Sequence, residues 1–120
     1  MVCRAGASTI TEITALGLVS ILIPYPHATM AHQDENARLL EKSGAAVVIE
    51  DKDLSGEVLA EAIVALVSDP ARMGTMSKNS RDLGKPDAAR EIAGHLRDIV
   101  GRKGRLRRLA TVLGDICSAR

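Results

Sequence analysis

A stretch of small and hydroxyl-bearing residues near the start of the chain has the composition of a phosphate-binding loop. It reads Cys3-Arg4-Ala5-Gly6-Ala7-Ser8-Thr9-Ile10-Thr11-Glu12. Small side chains let a ligand approach the backbone closely, and Ser8, Thr9 and Thr11 are candidate N-caps of a helix that begins here. The first turn of such a helix directs free backbone N–H groups at the loop, which suits a phosphate. The stretch predicts either a nucleotide-phosphate site or a turn with only a structural role.

Two side chains further along have the chemistry to hold the hydroxyls of a sugar. Glu12 lies about one turn beyond the loop, where a carboxylate can accept hydrogen bonds from a ribose, as in dinucleotide sites. The alternative for Glu12 is an exposed acid that the helix dipole favours. Gln33, at the start of a second predicted helix, is open to the same two interpretations, a ligand contact or a surface position.

The histidines and cysteines do not indicate a metal site or a nucleophile. His27 and His32 lack a third ligand at suitable spacing, so a loop-shaping role is favoured over metal binding. Cys3 is interpreted as a small apolar residue at a strand end. Cys3 and Cys117 lie at opposite ends of the chain without a C-x-x-C spacing, so no disulfide framework is predicted and a reducing cytoplasm is the default.

Composition restricts the classes of function. The 120 residues have room for one domain with a modest core. Tyr25 is the only aromatic residue, so the core must consist of Ala, Leu, Ile and Val, and stacking on nucleic-acid bases is nearly excluded. The net charge of +1 gives no polyanion signature. The sequence has no apolar run long enough to span a membrane and no signal peptide. Because almost no strand precedes the loop, we expect the chain to be truncated at its start.

The apolar residues alternate between helical and strand patterns. Helices are predicted at residues 7–18, 32–43, 55–67, from 70 to a break at 84–87, and from 87, with buried strands before the loop and at residues 19–23 and 45–49. This alternation is typical of an α/β fold with a parallel sheet. Ligands bind beyond the carboxyl ends of such strands. The loops at residues 4–9 and 24–33 both follow strands, so we expect them to line one crevice.

Helical periodicity predicts which side chains face the core. Gly17 and Gly44 are the predicted ends of the first two helices. The predicted inner faces are Ile10, Ile13, Ala15 and Leu16 in the first helix, Asn36, Ala37, Leu39 and Leu40 in the second, Val58, Leu59, Ala62, Ile63, Leu66 and Val67 in the third, and Met73, Met76 and Ser80 in the fourth.

The last twenty residues differ from the rest in charge. Residues 1–100 carry 10 basic and 14 acidic side chains, whereas residues 101–120 carry six basic side chains and one acidic side chain. This asymmetry predicts two units, 1–100 and 101–120. Five apolar residues recur at helical spacing in the tail: Leu106, Leu109, Val112, Leu113 and Ile116. The tail is interpreted either as a helix on an anionic membrane, as a packed or frayed terminal helix, or as a sequence unrelated to the rest after a break in the reading frame.

Several motifs occur in an order that is specific when they are taken together. They are residues 4–12, Gly17, and residues 21–28, 32–37, 44–46 and 87–92. Across roughly residues 2–100 the chain resembles the MurG family, the UDP-N-acetylglucosamine–N-acetylmuramyl-(pentapeptide) pyrophosphoryl-undecaprenol N-acetylglucosamine transferases. The chain departs from the family at Met30-Ala31, where acidic residues are common, and the tail after Val100 matches nothing in it.

The resemblance implies a fold and a donor site. Members have two Rossmann-like domains, an arrangement called GT-B, and the C-terminal domain holds the sugar nucleotide. This chain resembles the later part of that domain, without its uracil-recognising segment. By motif position, Glu12 would bind the ribose, and Gln33 and Asn36 would bind hydroxyls of the GlcNAc ring. The residues that would run along the diphosphate and sugar of UDP-GlcNAc are Ala7, Ser8, Thr9, Ile10, Thr11 and Glu12.

The resemblance also implies a reaction. The family transfers GlcNAc with inversion to undecaprenyl-pyrophosphoryl-MurNAc-pentapeptide, converting lipid I to lipid II in peptidoglycan synthesis, without a metal or cofactor. The acceptor loops and the proposed base belong to the N-terminal domain, so no catalytic residue is expected here and the chain alone is expected to be inactive. The implied location is cytoplasmic, peripheral on the inner face of the bacterial plasma membrane, with no nucleic-acid partner. Two alternatives are a donor-binding subunit of a split two-chain enzyme and a non-catalytic truncated fragment that does not fold stably.

Overall fold

A parallel sheet with helices forms the first part of the molecule. The computed structural model describes residues 1–26 and 32–101. Within these residues three strands, β1 (Val2–Cys3), β2 (Ser20–Leu22) and β3 (Ala46–Val48), lie in the order β1-β2-β3. Both strand pairs are parallel, with Val2 opposite Ile21 and Ile21 opposite Val47. The predicted α/β fold with a parallel sheet is confirmed.

The helices of this part follow the strands in alternation. They are α1 (Ala7–Leu16), α2 (His32–Lys42), α3 (Gly56–Val67) and α4 (Pro70–Leu83), and a short 3-10 helix covers Asp51–Asp53. A further helix, α5, covers residues 88–101. None of the helices in the described ranges is long and apolar enough to cross a membrane.

The chain divides into two compact units, Met1–Lys85 and Pro86–Arg120. The first holds the sheet and α1 to α4. In the second, the described residues form α5, whose side chains Ile92, Leu96 and Ile99 are exposed. The predicted boundary at residue 100 stays a prediction. The predicted amphipathic tail falls mostly on residues 102–120, which lie outside the described residues.

Local capping chemistry sets the helix ends. Gly17 and Gly44 have φ angles of 65° and 69°, which favour glycine, and they follow α1 and α2 as predicted. The Ser55 hydroxyl accepts a hydrogen bond from the Val58 N–H at 3.1 Å, and this bond caps α3. α4 begins with Pro70 at its first position after the N-cap Asp69.

The core lies on both faces of the sheet, because successive residues of β2 point to opposite sides. Leu22 packs in one cluster with Ile13 of α1 and Leu40 of α2. Ile21 packs in a second cluster with Leu66 and Met76, from α3 and α4. Such double coverage is typical of buried parallel sheets.

The inner face of α1 differs from the prediction. Ile13 is buried, Ile10 packs against the core, and the buried position beside Ile13 is Thr14, whose hydroxyl donates to the Ile10 carbonyl at 2.9 Å. Leu16 is 63% exposed. The helix advances by about 100° per residue, so a face centred between Ile13 and Thr14 turns Leu16 towards solvent. Leu39 of α2, another predicted inner residue, is also exposed.

Helix α3 buries less than its periodicity predicts. Of its apolar stripe only Leu66 is buried, and Leu59 and Ala62 are partly buried. Three predicted core residues, Val58, Ile63 and Val67, are exposed. Strand β1 also differs from the buried strand predicted, because Val2 is exposed. Periodicity identifies an apolar face but does not show whether another element covers that face.

Helix α4 fixes the position of α1 through its polar side chains. The buried Ser80 hydroxyl donates to the Ile13 carbonyl at 3.4 Å, and the Ser77 hydroxyl donates to the Gly17 carbonyl at 2.7 Å. After α4 the chain passes so close to α1 that a Cβ on Gly84 would lie 2.6 Å from the Thr14 carbonyl oxygen. This close approach leaves no room for a side chain.

We expect Gly84→Ala to lower the free energy of unfolding by about 1–3 kcal/mol, because the added methyl group overpacks against rigid backbone. The matched control is Gly74→Ala in α4, where an added Cβ meets nothing within 4 Å. This control should raise stability by about 0.5–1 kcal/mol, since alanine favours the helix. Urea denaturation followed by circular dichroism measures both values. Equal stability of Gly84→Ala and the parent chain would contradict the close approach.

Candidate functional site

The candidate residues meet at the carboxyl edge of the sheet. The loop after β1 leads into α1, the segment after β2 carries Pro24 and Tyr25, and the segment after β3 leads to Asp51–Asp53. Parallel strands bring the segments that follow them to one edge. Residues 4–9 and 24–26 therefore lie at the same edge of the sheet. That the two loops line one crevice stays a prediction, and residues 27–31 lie outside the described residues.

The first turn of α1 presents free backbone donors. The N-cap is Gly6, and its carbonyl accepts the first helical bond from the Ile10 N–H at 2.9 Å. The N–H groups of Ala7, Ser8 and Thr9 have no partner among the described residues. The predicted N-caps are wrong, because the helix already begins at Ala7 and no side chain caps it. Without a competing cap, these three groups are available to an anion.

One exposed face of α1 connects these donors to Glu12. Ala7, Ser8, Thr11 and Glu12 are all exposed, since residues four apart lie on one face of a helix. The Thr11 hydroxyl donates to the Ala7 carbonyl at 2.9 Å, so only its oxygen lone pairs remain for a ligand. Ile10 packs its side chain against the core, which leaves only its backbone to face a ligand.

Gln33 and Asn36 each use one polar group to hold the backbone. The Gln33 side-chain oxygen accepts a hydrogen bond from the Tyr25 N–H at 3.1 Å. The Asn36 amide donates to the carbonyl of the buried Ala5 at 3.2 Å. Both are partly buried, and the Gln33 amide nitrogen and Asn36 amide oxygen have no partner in the described part of the chain. Each residue therefore holds a neighbouring backbone segment and has one further polar group without a partner among the described residues.

Arg4 joins the three segments at this edge. One guanidinium nitrogen donates to the carbonyls of Ile23 and Pro24 at 3.4 and 3.3 Å and forms an ion pair with Asp51. The guanidinium carbon lies 5.5 Å from the centre of the Tyr25 ring, a cation–π contact. Sequence analysis assigned Arg4 no role. Its partners lie 19 to 47 positions away, so local spacing could not reveal them.

An acidic cleft of about 360 Å³ lies beside the candidate site. Its polar lining includes three carboxylates, Asp34, Glu50 and Asp51, and Lys52. Arg38 forms ion pairs with the carboxylates of Asp34, Glu41 and Glu50. The pKa of Arg38 is raised, mainly by its hydrogen bond to Glu41. The carboxylates of the cleft are paired with Arg38 and Arg4. The first turn of α1 is the better anion site, because its N–H groups have no competing partner among the described residues.

The remaining titratable candidates are not arranged for chemistry. Burial raises the pKa of the Cys3 thiol, which keeps it protonated and weakly nucleophilic. The His32 imidazole is exposed and lies 3.9 Å from a Glu35 carboxylate oxygen. No group of three metal-ligating side chains occurs among residues 1–26 and 32–101. His27 lies outside that part of the chain.

Comparison with known proteins identifies the family. The model of the glycosyltransferase family 28 C-terminal domain matches residues 1–92. The chain belongs to this family. The crystal structure of Acinetobacter baumannii MurG superposes with a TM-score of 0.72 at 28% sequence identity and covers 81% of this chain. The predicted resemblance to MurG and its Rossmann-like C-terminal domain is therefore confirmed.

Curated relatives agree in name. The UDP-N-acetylglucosamine--N-acetylmuramyl-(pentapeptide) pyrophosphoryl-undecaprenol N-acetylglucosamine transferase of Desulforudis audaxviator is 49% identical over 102 residues, which cover 85% of this chain and 27% of the relative. The enzyme of the same name from Geobacter metallireducens is 52% identical over 92 residues, covering 77% of this chain and 25% of the relative. The chain thus spans about a quarter of the length of the curated relatives that it matches.

The contact between Asn36 and Ala5 can be tested apart from any ligand. We expect Asn36→Ala to cost about 1 kcal/mol of stability, because a buried carbonyl loses its donor. The amide NMR signals of residues 5–9 should shift and exchange faster with solvent. Asn79→Ala is the matched control, since the Asn79 amide donates to the Gly44 carbonyl at 3.3 Å. Unchanged signals for residues 5–9 in Asn36→Ala would rule out a positioning role.

Proposed function

We propose that this chain is the UDP-GlcNAc-binding part of an inverting N-acetylglucosaminyltransferase. The observation that carries the proposal is the uncapped first turn of α1, whose three free N–H groups precede an exposed face that ends at Glu12. A nucleotide diphosphate matches this arrangement, because helix N-termini bind phosphate and a nearby carboxylate binds ribose hydroxyls. The names of the relatives supply the identity of the donor sugar.

The donor would lie along the carboxyl edge of the sheet. The backbone N–H groups of Ala7, Ser8 and Thr9 would bind the diphosphate, and Thr11 would offer an acceptor oxygen. Ile10 would contribute only van der Waals contact, because its N–H already donates to the Gly6 carbonyl. Glu12 would accept hydrogen bonds from the ribose. The free amide groups of Gln33 and Asn36 would bind hydroxyls of the GlcNAc ring. The contacts of these two amides with Tyr25 and Ala5 would fix their direction in advance.

The acceptor would be bound by polypeptide outside this chain. The relatives' name specifies an undecaprenol-linked muramyl pentapeptide as acceptor, and peptidoglycan synthesis is the process that we propose. Transfer requires both substrates in one geometry, so residues 1–120 alone would bind donor without turnover. Because the acceptor in the relatives' name is linked to undecaprenol, the assembled enzyme would act as a peripheral protein on the cytoplasmic face of the plasma membrane.

A donor-binding subunit of a two-chain enzyme is the second candidate. The observation that favours it is that Met1–Lys85 forms a compact unit with its own core on both faces of the sheet. In this case the acceptor-binding half would be a separate chain. A cooperative thermal melt of the purified chain would support this candidate over a fragment that does not fold stably.

Glu12→Gln tests the donor site directly. We expect affinity for UDP-GlcNAc to fall by about 10-fold or more, because hydrogen bonds to a charged acceptor are worth about 1.5–3 kcal/mol. Binding is measured by NMR titration at millimolar donor, because the chain spans about a quarter of its relatives and weak affinity is expected. Chemical shift changes should concentrate at residues 6–12, 33 and 36.

The matched control is Glu61→Gln. Glu61 is an exposed acid on α3. Helix α3 packs on the opposite side of the sheet from α1, because Leu66 and Ile13 belong to different core clusters. This variant should bind UDP-GlcNAc like the parent chain. Equal loss in both variants would show a general charge effect, and unchanged affinity in Glu12→Gln would overturn the ribose assignment. No shift at any concentration in the folded chain would contradict donor binding by this chain alone.

A further inference from the structure

The Asp51 carboxylate connects the segment after β3 to the segment after β1. Its partner is the Arg4 guanidinium, and the two side chains form an ion pair between residues that lie 47 positions apart. Because the strand order is β1-β2-β3, this contact crosses the end of β2. Two strand spacings amount to about 10 Å, a span that the two side chains bridge together.

The same guanidinium holds the segment after β2. The Nη1 group of Arg4 donates to the carbonyls of Ile23 and Pro24 at 3.4 and 3.3 Å, and the guanidinium carbon lies 5.5 Å from the centre of the Tyr25 ring. These contacts are long or weakly directional. Asp51 is the only charged partner of Arg4 among the described residues, and charge-assisted hydrogen bonds are the stronger kind. Asp51 therefore sets the direction of the Arg4 side chain.

Tyr25 connects this pair to Gln33. The Tyr25 N–H donates to the Gln33 side-chain oxygen at 3.1 Å, so the Gln33 amide takes its direction from the backbone that Arg4 holds. Gln33 is one of the side chains assigned to the sugar hydroxyls in the proposed donor site. The contacts run from Asp51 through Arg4 and Tyr25 to Gln33, and none of them involves α1. Recognition of the sugar can therefore change while the diphosphate contacts of α1 stay as they are.

We propose that Asp51 is a positioning residue for the sugar of the donor. It orients Arg4, Arg4 holds the Tyr25 backbone, and that backbone directs the Gln33 amide towards the sugar hydroxyls. Asp51 thereby joins the same donor site, so its assignment rests on the proposed function. The Arg4 and Asp51 side chains are 48% and 34% exposed, and water weakens an ion pair at such a position. The expected effect is therefore a change of a few-fold in affinity and not loss of binding.

The test compares Asp51→Asn with the parent chain in NMR titrations with UDP-GlcNAc and with UDP. We expect affinity for UDP-GlcNAc to fall about 3-fold, the size that an exposed ion pair allows, and affinity for UDP to stay unchanged. A role in stability alone would not separate the two ligands.

The matched control is Asp53→Asn, which removes the same charge from the same 3-10 helix. Asp53 is exposed, and its side chain has no partner in the part of the chain that the structure describes. This variant should bind both ligands like the parent chain. Circular dichroism checks that each variant folds.

Two further measurements follow the contacts themselves. In the ligand-free chain, Asp51→Asn should shift the NMR signals of the Tyr25 backbone amide and the Gln33 side-chain amide, whereas Asp53→Asn should leave them unchanged. In an Arg4→Gln background, Asp51→Asn should lower the affinity for UDP-GlcNAc no further, because residues that act through one contact are not additive.

Three results would overturn the positioning role of Asp51. They are unchanged or equally lowered affinity for the two ligands in Asp51→Asn, unchanged signals of Tyr25 and Gln33 in that variant, and a further loss when Asp51→Asn is added to Arg4→Gln. In each of these cases, binding of UDP-GlcNAc by the parent chain still supports the donor site. Absence of binding of both ligands to the folded parent chain would contradict the donor site itself and the role of Asp51 with it.

Discussion

The buried strand β2 is the constraint on which the rest of the structure depends. It pairs with β1 and β3 at once, and its residues Ile21 and Leu22 occupy the two core clusters. Since all three strands are parallel, the segments that follow them meet at one edge. The position of α1, α2 and the Asp51–Asp53 turn around a common site follows from this pairing. A change in register would turn the core residues of β2 to the wrong faces.

Around that edge, polar side chains position the backbone before any ligand is present. Asn36 holds the loop at Ala5, Gln33 holds the backbone of Tyr25, and Arg4 connects the segments after β2 and β3. In each case the side chain contacts a backbone or charge that is distant in sequence. Pre-positioning of this kind lowers the ordering cost of binding. A variant at Gln33 or Asn36 would therefore lose both a backbone contact within the chain and a group proposed to bind the ligand, and the two effects must be measured separately.

The carboxyl edge of the sheet and the edge formed by strand β1 differ in how many of their groups have partners among the described residues. At the carboxyl edge of the sheet, side chains of Arg4, Gln33 and Asn36 are paired with backbone or charged groups of neighbouring segments. At β1, the backbone groups of Val2 and the apolar surface of α3 have no counterpart among the described residues.

The secondary-structure elements and their order follow from the amino-acid sequence. Gly17, Gly44, Ser55 and Asp69-Pro70 mark helix ends through local backbone chemistry, and short apolar runs mark the strands, so alternation identified the parallel sheet. The motifs also identified the family. Burial and contact depend on the tertiary structure. Leu16 and Val67 face solvent although they follow the helical period. Gly6 rather than a hydroxyl-bearing residue is the N-cap of α1, and Arg4 pairs with Asp51. Local propensities act over a few residues, whereas burial and pairing depend on which distant surfaces are present to meet them.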